Sequence, residues 1–270
     1  RYKVKMINQE MIEKWTVRLS AEQVFAPSTI GRTITLLRNI FRKGMEWGYL
    51  NRNPAEFAVK PKTYKQEAEF LEPHEIKKLI SSVDKRYKTL IMFACLTGCR
   101  ISEILGLRWA DVEFNSSKVF IRQTLQGNKF YEPKTPASRR AIDVSPALIE
   151  ELKTHQARLK VELSSNEFDL VFPNLGGRPQ DSQNLRRRVL ESALKRAGIR
   201  RVGFHALRHT YVSMLIAQGE NVKTIQQLVG HSSAKVTWDT YSHLFDGATK
   251  KAVNKLSDNL FNNRSNLKRI

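Results

Sequence analysis

The sequence is short of acid, nearly free of cysteine and without a long apolar run. Asp and Glu supply 26 of 270 residues against 46 Lys and Arg, a formal net charge of +20. A surplus of that size points to a polyanionic partner, because neutralising phosphates releases their counterions and drives binding. The basic excess runs on both sides of residue 70, so both parts of the chain are expected to meet the same polyanion. The 2 cysteines, Cys95 and Cys99, share an apolar stretch. Neighbours on one helix face do not meet disulfide geometry, and two thiols alone make a poor metal site. Buried free thiols in a reducing, cytoplasmic setting are expected. No segment approaches the roughly 18–20 apolar residues that span a bilayer, and no signal-peptide pattern opens the chain. No membrane partner is therefore expected. Internal repeats and low-complexity tracts are also lacking. The first residue is Arg1 rather than methionine, so the chain is expected to be part of something longer.

What is there is enough to fold. A 41% hydrophobic content over 270 residues allows one large or two ordinary domains with a sizeable core. The first stretch reads as helical. Met11, Ile12, Trp15 and Leu19 mark a helix from about Asn8 to Leu19. Ile30, Ile34, Leu37, Phe41 and Met45 mark a second one, with Ser28 as its expected N-cap and Gly48 and Pro54 closing it. Arg32, Arg38, Arg42 and Lys43 are placed on its polar side as candidates for contact with that polyanion. Around "AVKPKTYKQEAEF" the periodicity stops, which sets the expected organisation. Residues 1–60 form a helical domain, 61–70 a linker, 71–245 a second domain and 246–270 a tail.

In the second domain "LEPHEIKKLISSV" and "YKTLIMFACLTG" have helical period. The rhythm then changes to short alternating runs, Val119 with Ile121 and Ile142 with Val144, separated by "GN" and "KTPAS". These predict one small antiparallel sheet. Helices resume at "PALIEELKTHQARL", at "DSQNLRRRVLESALKRAG" and in three short pieces between His205 and His243, with Gly198, Gly219 and Gly230 at C-cap positions. The predicted fold is mainly α with a small antiparallel β-sheet.

Four stretches hold polar groups that a plain core does not need. Arg100 opens a helix in "LTGCRISEILGLRWADV", where a cation opposes the helix dipole unless an anion compensates; Glu103, three residues on, can brace it. Lys134 sits at the expected tip of a sheet turn, with Lys129 nearby, and Arg139 and Arg140 follow as further basic candidates. His205, Arg208 and His209 share one helix face. A zinc protease pattern would need Glu after the first histidine, and Ala206 stands there, so no metal site is expected. Histidine with arginine suits a phosphate instead, since the guanidinium offers two parallel hydrogen bonds. His231 follows Gly230 at a helix start, and Tyr241 lies ten residues later. Taken singly, each of these residues fits an ordinary packing or capping role.

Together they resemble something specific. The ordered set Arg100, Lys134, His205, Arg208, His231 and Tyr241, flanked by "TGCRISEILGLRW", "HALRHTYVSMLIAQG", "LVGHSS" and "TYSHL", resembles the tyrosine recombinases of the phage integrase family over about residues 70 to 245. Residues 1–60 resemble that family's core-binding domain. The resemblance implies cleavage by Tyr241 through a 3′-phosphotyrosyl link, with Arg100 and Arg208 clamping the phosphate, His205 and His231 hydrogen-bonded to it, and Lys134 protonating the leaving oxygen. Glu103 and His209 are expected to support these groups. It implies double-stranded DNA core sites as substrate, a homo-tetramer on DNA, DNA-bending accessory proteins and a directionality factor, and neither metal nor other cofactor. The tail, with Val253, Leu256 and Leu260 on one face, is expected to dock in cis or on a neighbouring protomer. A type IB topoisomerase and a basic DNA-binding regulator are the competing readings.

Overall fold

The computed structural model describes residues 3–63, 68–133, 138–245, 253–254, 256–258 and 261. The chain divides into two compact units, residues 1–66 and 67–270. Lys134 and Leu260 lie outside the described residues.

The first unit is built on α1 (Gln9–Ala21) and α2 (Pro27–Glu46). The Asn8 side chain accepts from the Met11 N–H, capping α1. α2 starts one residue before the expected Ser28 cap: Ala26 takes the cap position and Pro27 the first turn. Proline is at home there, since its missing N–H would have had no helical acceptor. Ile12, Ile30, Ile34, Phe41, Ala55 and Ala58 form the core. Arg38, placed on the polar face from sequence, is tied inward instead. Its Nε donates to the Ala55 carbonyl at 2.9 Å and its Nη2 to that of Ala58 at 2.6 Å. One turn after buried Ile34, it fastens the segment following α2 onto the helix pair.

The second unit opens with α3 (Pro73–Ser82), α4 (Lys85–Thr97) and α5 (Ile101–Gly106). Strands β1 (Val112–Glu113), β2 (Lys118–Ile121), β3 (Thr124–Gln126), β4 (Lys129–Tyr131) and β5 (Arg140–Asp143) follow. They make two antiparallel sheets rather than the single one expected, ordered β1-β2-β5 and β3-β4. The reason lies at α5. Gln123 Nε2 donates to the Gly106 carbonyl at 2.7 Å, and a Cβ on Gly106 would press against the backbone of Gln123 to Leu125. The chain thus leaves the first sheet to pack against that helix, then turns back at Gly127, φ +59°.

Beyond the sheets run α6 (Pro146–Glu162), capped by the Ser145 hydroxyl, and α7 (Ser182–Asn184). A wide π turn over Leu185–Leu190 leads from α7 into α8 (Glu191–Ala197). Last come α9 (Phe204–Ala217), α10 (Val222–Val229) and α11 (Ala234–Tyr241). The main core joins α3–α6, the β1-β2-β5 sheet and the helices up to the start of α9. A second cluster of Val212, Ile216, Ile225, Val229 and Tyr241 fixes α10 and α11 onto α9. Among the described residues no helix is long and apolar enough to cross a membrane. Val253 and Leu256 of the tail are exposed.

Candidate active site

The site is assembled from helix ends. α4 terminates at Gly98 in the left-handed region, φ +61°, where the Tyr211 ring leaves no room for a Cβ. That turn aims the Gly98 carbonyl at Arg208 Nη1, 2.7 Å away, and sets Arg100 at the start of α5. Arg100 needs a counter-charge, and Glu103 supplies it. The Glu103 carboxylate, only 1% exposed, accepts from the Arg100 N–H at 2.9 Å and from its Nη1 at 2.7 Å.

The second cation on that carboxylate is Arg140, a DNA-binding candidate by sequence. Its side chain is buried, with Nη2 3.1 Å from Glu103 Oε2 and Nε donating to the Leu228 carbonyl at 2.9 Å. The reason is strand geometry: Arg140 pairs with buried Ile121 and alternates with Ile142 and Val144, so it points to the covered face. Burial alone would raise the Glu103 pKa, but Arg140 and then Arg100 outweigh it and hold the carboxyl below its usual range.

Arg208 is 2% exposed. Burial, and then the Arg100 charge, push its pKa down to about 10, so it stays a cation at neutral pH. Its Nη2 is buried with no hydrogen-bond partner among the described residues. An unpaired guanidinium N–H next to a second arginine is a strong donor for an anion. Arg100 Nη2 also reaches the Gly230 carbonyl at 3.3 Å, tying the α10 C-terminus to the site. His231 follows directly, its Nδ1 2.8 Å from Thr237 Oγ1. Desolvation, then the Arg208 and Arg100 charges, push the His231 pKa to about 3. His205 keeps an exposed edge; partial desolvation, then Arg208 and Arg100, lower its pKa too.

Tyr241 ends α11 and is 1% exposed. Burial raises its pKa above the ordinary phenol value, with Arg208 opposing. Its hydroxyl hydrogen-bonds His209 Nδ1, and the two rings lie 5.5 Å apart. His209 in turn meets the His205 ring edge-on at 4.6 Å. Burial, then His205 and Arg208, push the His209 pKa to about 4, so the ring is neutral.

Of the residues singled out from sequence, Arg100, Glu103, His205, Arg208, His209, His231 and Tyr241 converge. Arg32, Arg42, Lys43 and Arg139 are exposed, with Arg42 bonded to Asn39 at 3.1 Å, Lys43 paired with Glu46, and Arg139 3.9 Å from Glu132. Gly98 was legible as a break before Arg100, whereas the positioning role of Thr237 left no sequence signal. The exposed run Arg186 to Arg188 did: three consecutive arginines in a helical stretch.

Two arginines, three histidines and a tyrosine thus gather around a buried guanidinium N–H that has no partner among the described residues, an arrangement able to take up an anion. Residues 69–247 match the phage integrase family, and the chain belongs to it as a site-specific tyrosine recombinase. It is 30% identical over 284 residues to a tyrosine recombinase XerC-like protein of Caldanaerobacter subterraneus subsp. tengcongensis, across 95% of this chain and 72% of that one. It is 29% identical over 241 residues to the ICEBs1 integrase of Bacillus subtilis, across 85% of this chain and 65% of the relative. Among solved structures, the Tn1549 transposon integrase in complex with transposon right end DNA superposes with a TM-score of 0.79 at 20% identity, covering 95% of this chain and 87% of that one. A lambda integrase dimer bound to a core site gives 0.65 at 18% identity, over 86% and 82% of the two chains. The last two likenesses show the fold.

Proposed function

We propose that the chain cuts and rejoins duplex DNA at a core site to integrate or excise a mobile element, with Tyr241 as nucleophile. The tyrosine oxygen attacks the scissile phosphodiester and forms a 3′-phosphotyrosyl ester, and the 5′-oxygen departs. The bond energy stays in that ester, so a 5′-hydroxyl from another strand can reverse the step without ATP. Arg100 and Arg208 hold the two non-bridging oxygens, on which the transition state gathers charge. Preorganised cations of this kind lower such a barrier by several kcal/mol, and removal of one costs about 10²–10³ in rate. His205 and His231 hydrogen-bond the same phosphate. Lys134 protonates the leaving 5′-oxygen; Lys129, exposed at the start of β4, is the nearby alternative.

The observation that carries this reading is the buried Arg208 Nη2, without a partner among the described residues, near the Arg100 charge and within electrostatic reach of Tyr241. Residues 1–60 act as the core-binding domain, 61–70 as a linker and 71–245 as the catalytic domain. Exposed Arg32, Arg42, Lys43 and Arg139 contact the phosphate backbone, joined by Arg186 to Arg188. Four copies assemble on two duplexes in the cytoplasm, with DNA-bending proteins and a directionality factor setting the outcome.

The test is a nicked duplex carrying the DNA that flanks the gene. Wild-type protein is expected to form an SDS-resistant adduct with it, in EDTA as well as without. Tyr241→Phe is expected to bind the duplex and form none. An adduct that survives the substitution sinks the assignment.

A further inference from the structure

A tyrosine that attacks phosphorus must lose a proton, and a phenol with an ordinary pKa of about 10 keeps it at neutral pH. Two of the three site histidines are poorly placed to take it. His231 engages Thr237 through Nδ1. Among the described residues the Tyr241 hydroxyl bonds neither His231 nor His205 but His209, at Nδ1. We propose that His209 is a catalytic residue, the general base that removes the Tyr241 proton during strand cleavage and returns it on rejoining. This rests on the strand-transfer reading above.

The step balances simply. The Tyr241 O–H bond breaks as its oxygen bonds to phosphorus, and the proton passes along the existing hydrogen bond to Nδ1. The P–O5′ bond breaks with its electron pair leaving on the 5′-oxygen, which takes a proton from the general acid. His209 ends as imidazolium, and its edge-on neighbour His205 opens to solvent. Reversal returns the proton to the departing tyrosine.

The charges around His209 explain why the pair is quiet at rest. On α9, His205 and Arg208 face it; from α11 comes Tyr241, and from the turn before α11 comes His231. Burial and the Arg208 cation keep the imidazole neutral, and burial keeps the phenol protonated. Full transfer before attack is strongly uphill. Once the oxygen begins to bond to phosphorus its proton becomes far more acidic, and a weak base then suffices. A phosphodiester held at Arg208 also offsets the cation that suppresses His209. The site is therefore inert until DNA is seated.

The experiment measures single-turnover cleavage of the nicked gene-flanking duplex by His209→Gln and His209→Ala, with folding checked by thermal melt. Gln fills the space and accepts a hydrogen bond but cannot carry the proton. Both variants are expected to bind the duplex as wild type does and to cleave it about 10²-fold more slowly or worse. Their rates are expected to keep rising into alkaline pH, where the wild-type rate levels off. Added imidazole is expected to restore part of the rate to His209→Ala and none to His209→Gln. Near-wild-type cleavage by His209→Gln overturns the proposal. So does a slow His209→Ala that imidazole does not rescue and whose pH profile keeps the wild-type shape. A wild-type protein that forms no adduct defeats the underlying reading instead.

Discussion

Two groups of basic side chains in this molecule have opposite environments. Arg100 and Arg140 at a helix and a strand start, and Arg208 within α9, lie in the second unit, two of them buried, bound to Glu103 or to backbone carbonyls. Arg32, Arg42 and Lys43 stand on the outer face of α2 with nothing firmer than short-range surface partners. The first group is tied into one network, and its buried members, Arg140 and Arg208, are desolvated and expensive to disturb. The second is hydrated and independent of the fold. A net charge of +20 is the sum of both kinds, and only position in an element tells them apart.

Breaking the buried group has the larger consequence. Glu103→Ala leaves Arg140 buried without its carboxylate and frees Arg100 from its brace. Losing one partner of a buried ion network typically costs about 3–5 kcal/mol, and a drop of that order is expected in urea unfolding. A loss within the range of a surface pair would mean that the network does not hold the site.

Acid acts on the site and on the core, where His155 lies buried against Phe172 with Nε2 2.7 Å from the Val171 carbonyl oxygen. Burial chiefly pushes the pKa of His155 and of His209 to about 4 and that of His231 to about 3, below the ordinary value of about 6.5. Between those limits the unfolded chain binds more protons than the folded one. Their contribution to stability is therefore complete above about pH 6.5 and falls as the pH drops toward 4. Melting temperature followed across that window is expected to fall steadily; a flat profile would show that the histidines are not held neutral.

The exposed group is expected to change binding and little else. Arg32→Ala together with Arg42→Ala leaves the melt within about 0.5 kcal/mol of wild type. It weakens DNA binding uniformly across sequences and lowers the salt slope by about one for each phosphate that is no longer neutralised. An unchanged slope would remove these residues from the DNA surface.

Much of the candidate site was legible because its residues lie in contiguous patterns, "HALRH" and "LVGHSS" among them, whose helix placement follows from period and glycine caps. The inward placement of Arg38 and Arg140 is legible by the same rules. Arg38 follows buried Ile34 by one helical turn, and Arg140 alternates with Ile142 and Val144, so each shares the inward face. For both, periodicity is a better guide than charge. The split into two sheets was not legible, since it depends on Gly106 meeting a strand distant in sequence. The His209–Tyr241 bond likewise requires α11 to fold back onto α9, a contact set by Val212, Ile216, Ile225 and Val229 rather than by either residue.

The most direct measurement is the identity of the amino acid that carries the DNA. The adduct from the nicked gene-flanking duplex is digested with nuclease and trypsin, and the modified peptide is sequenced by mass spectrometry. The nucleotide is expected on Tyr241, in the peptide that also contains Trp238. A nucleotide on any other residue would contradict the site as it is described.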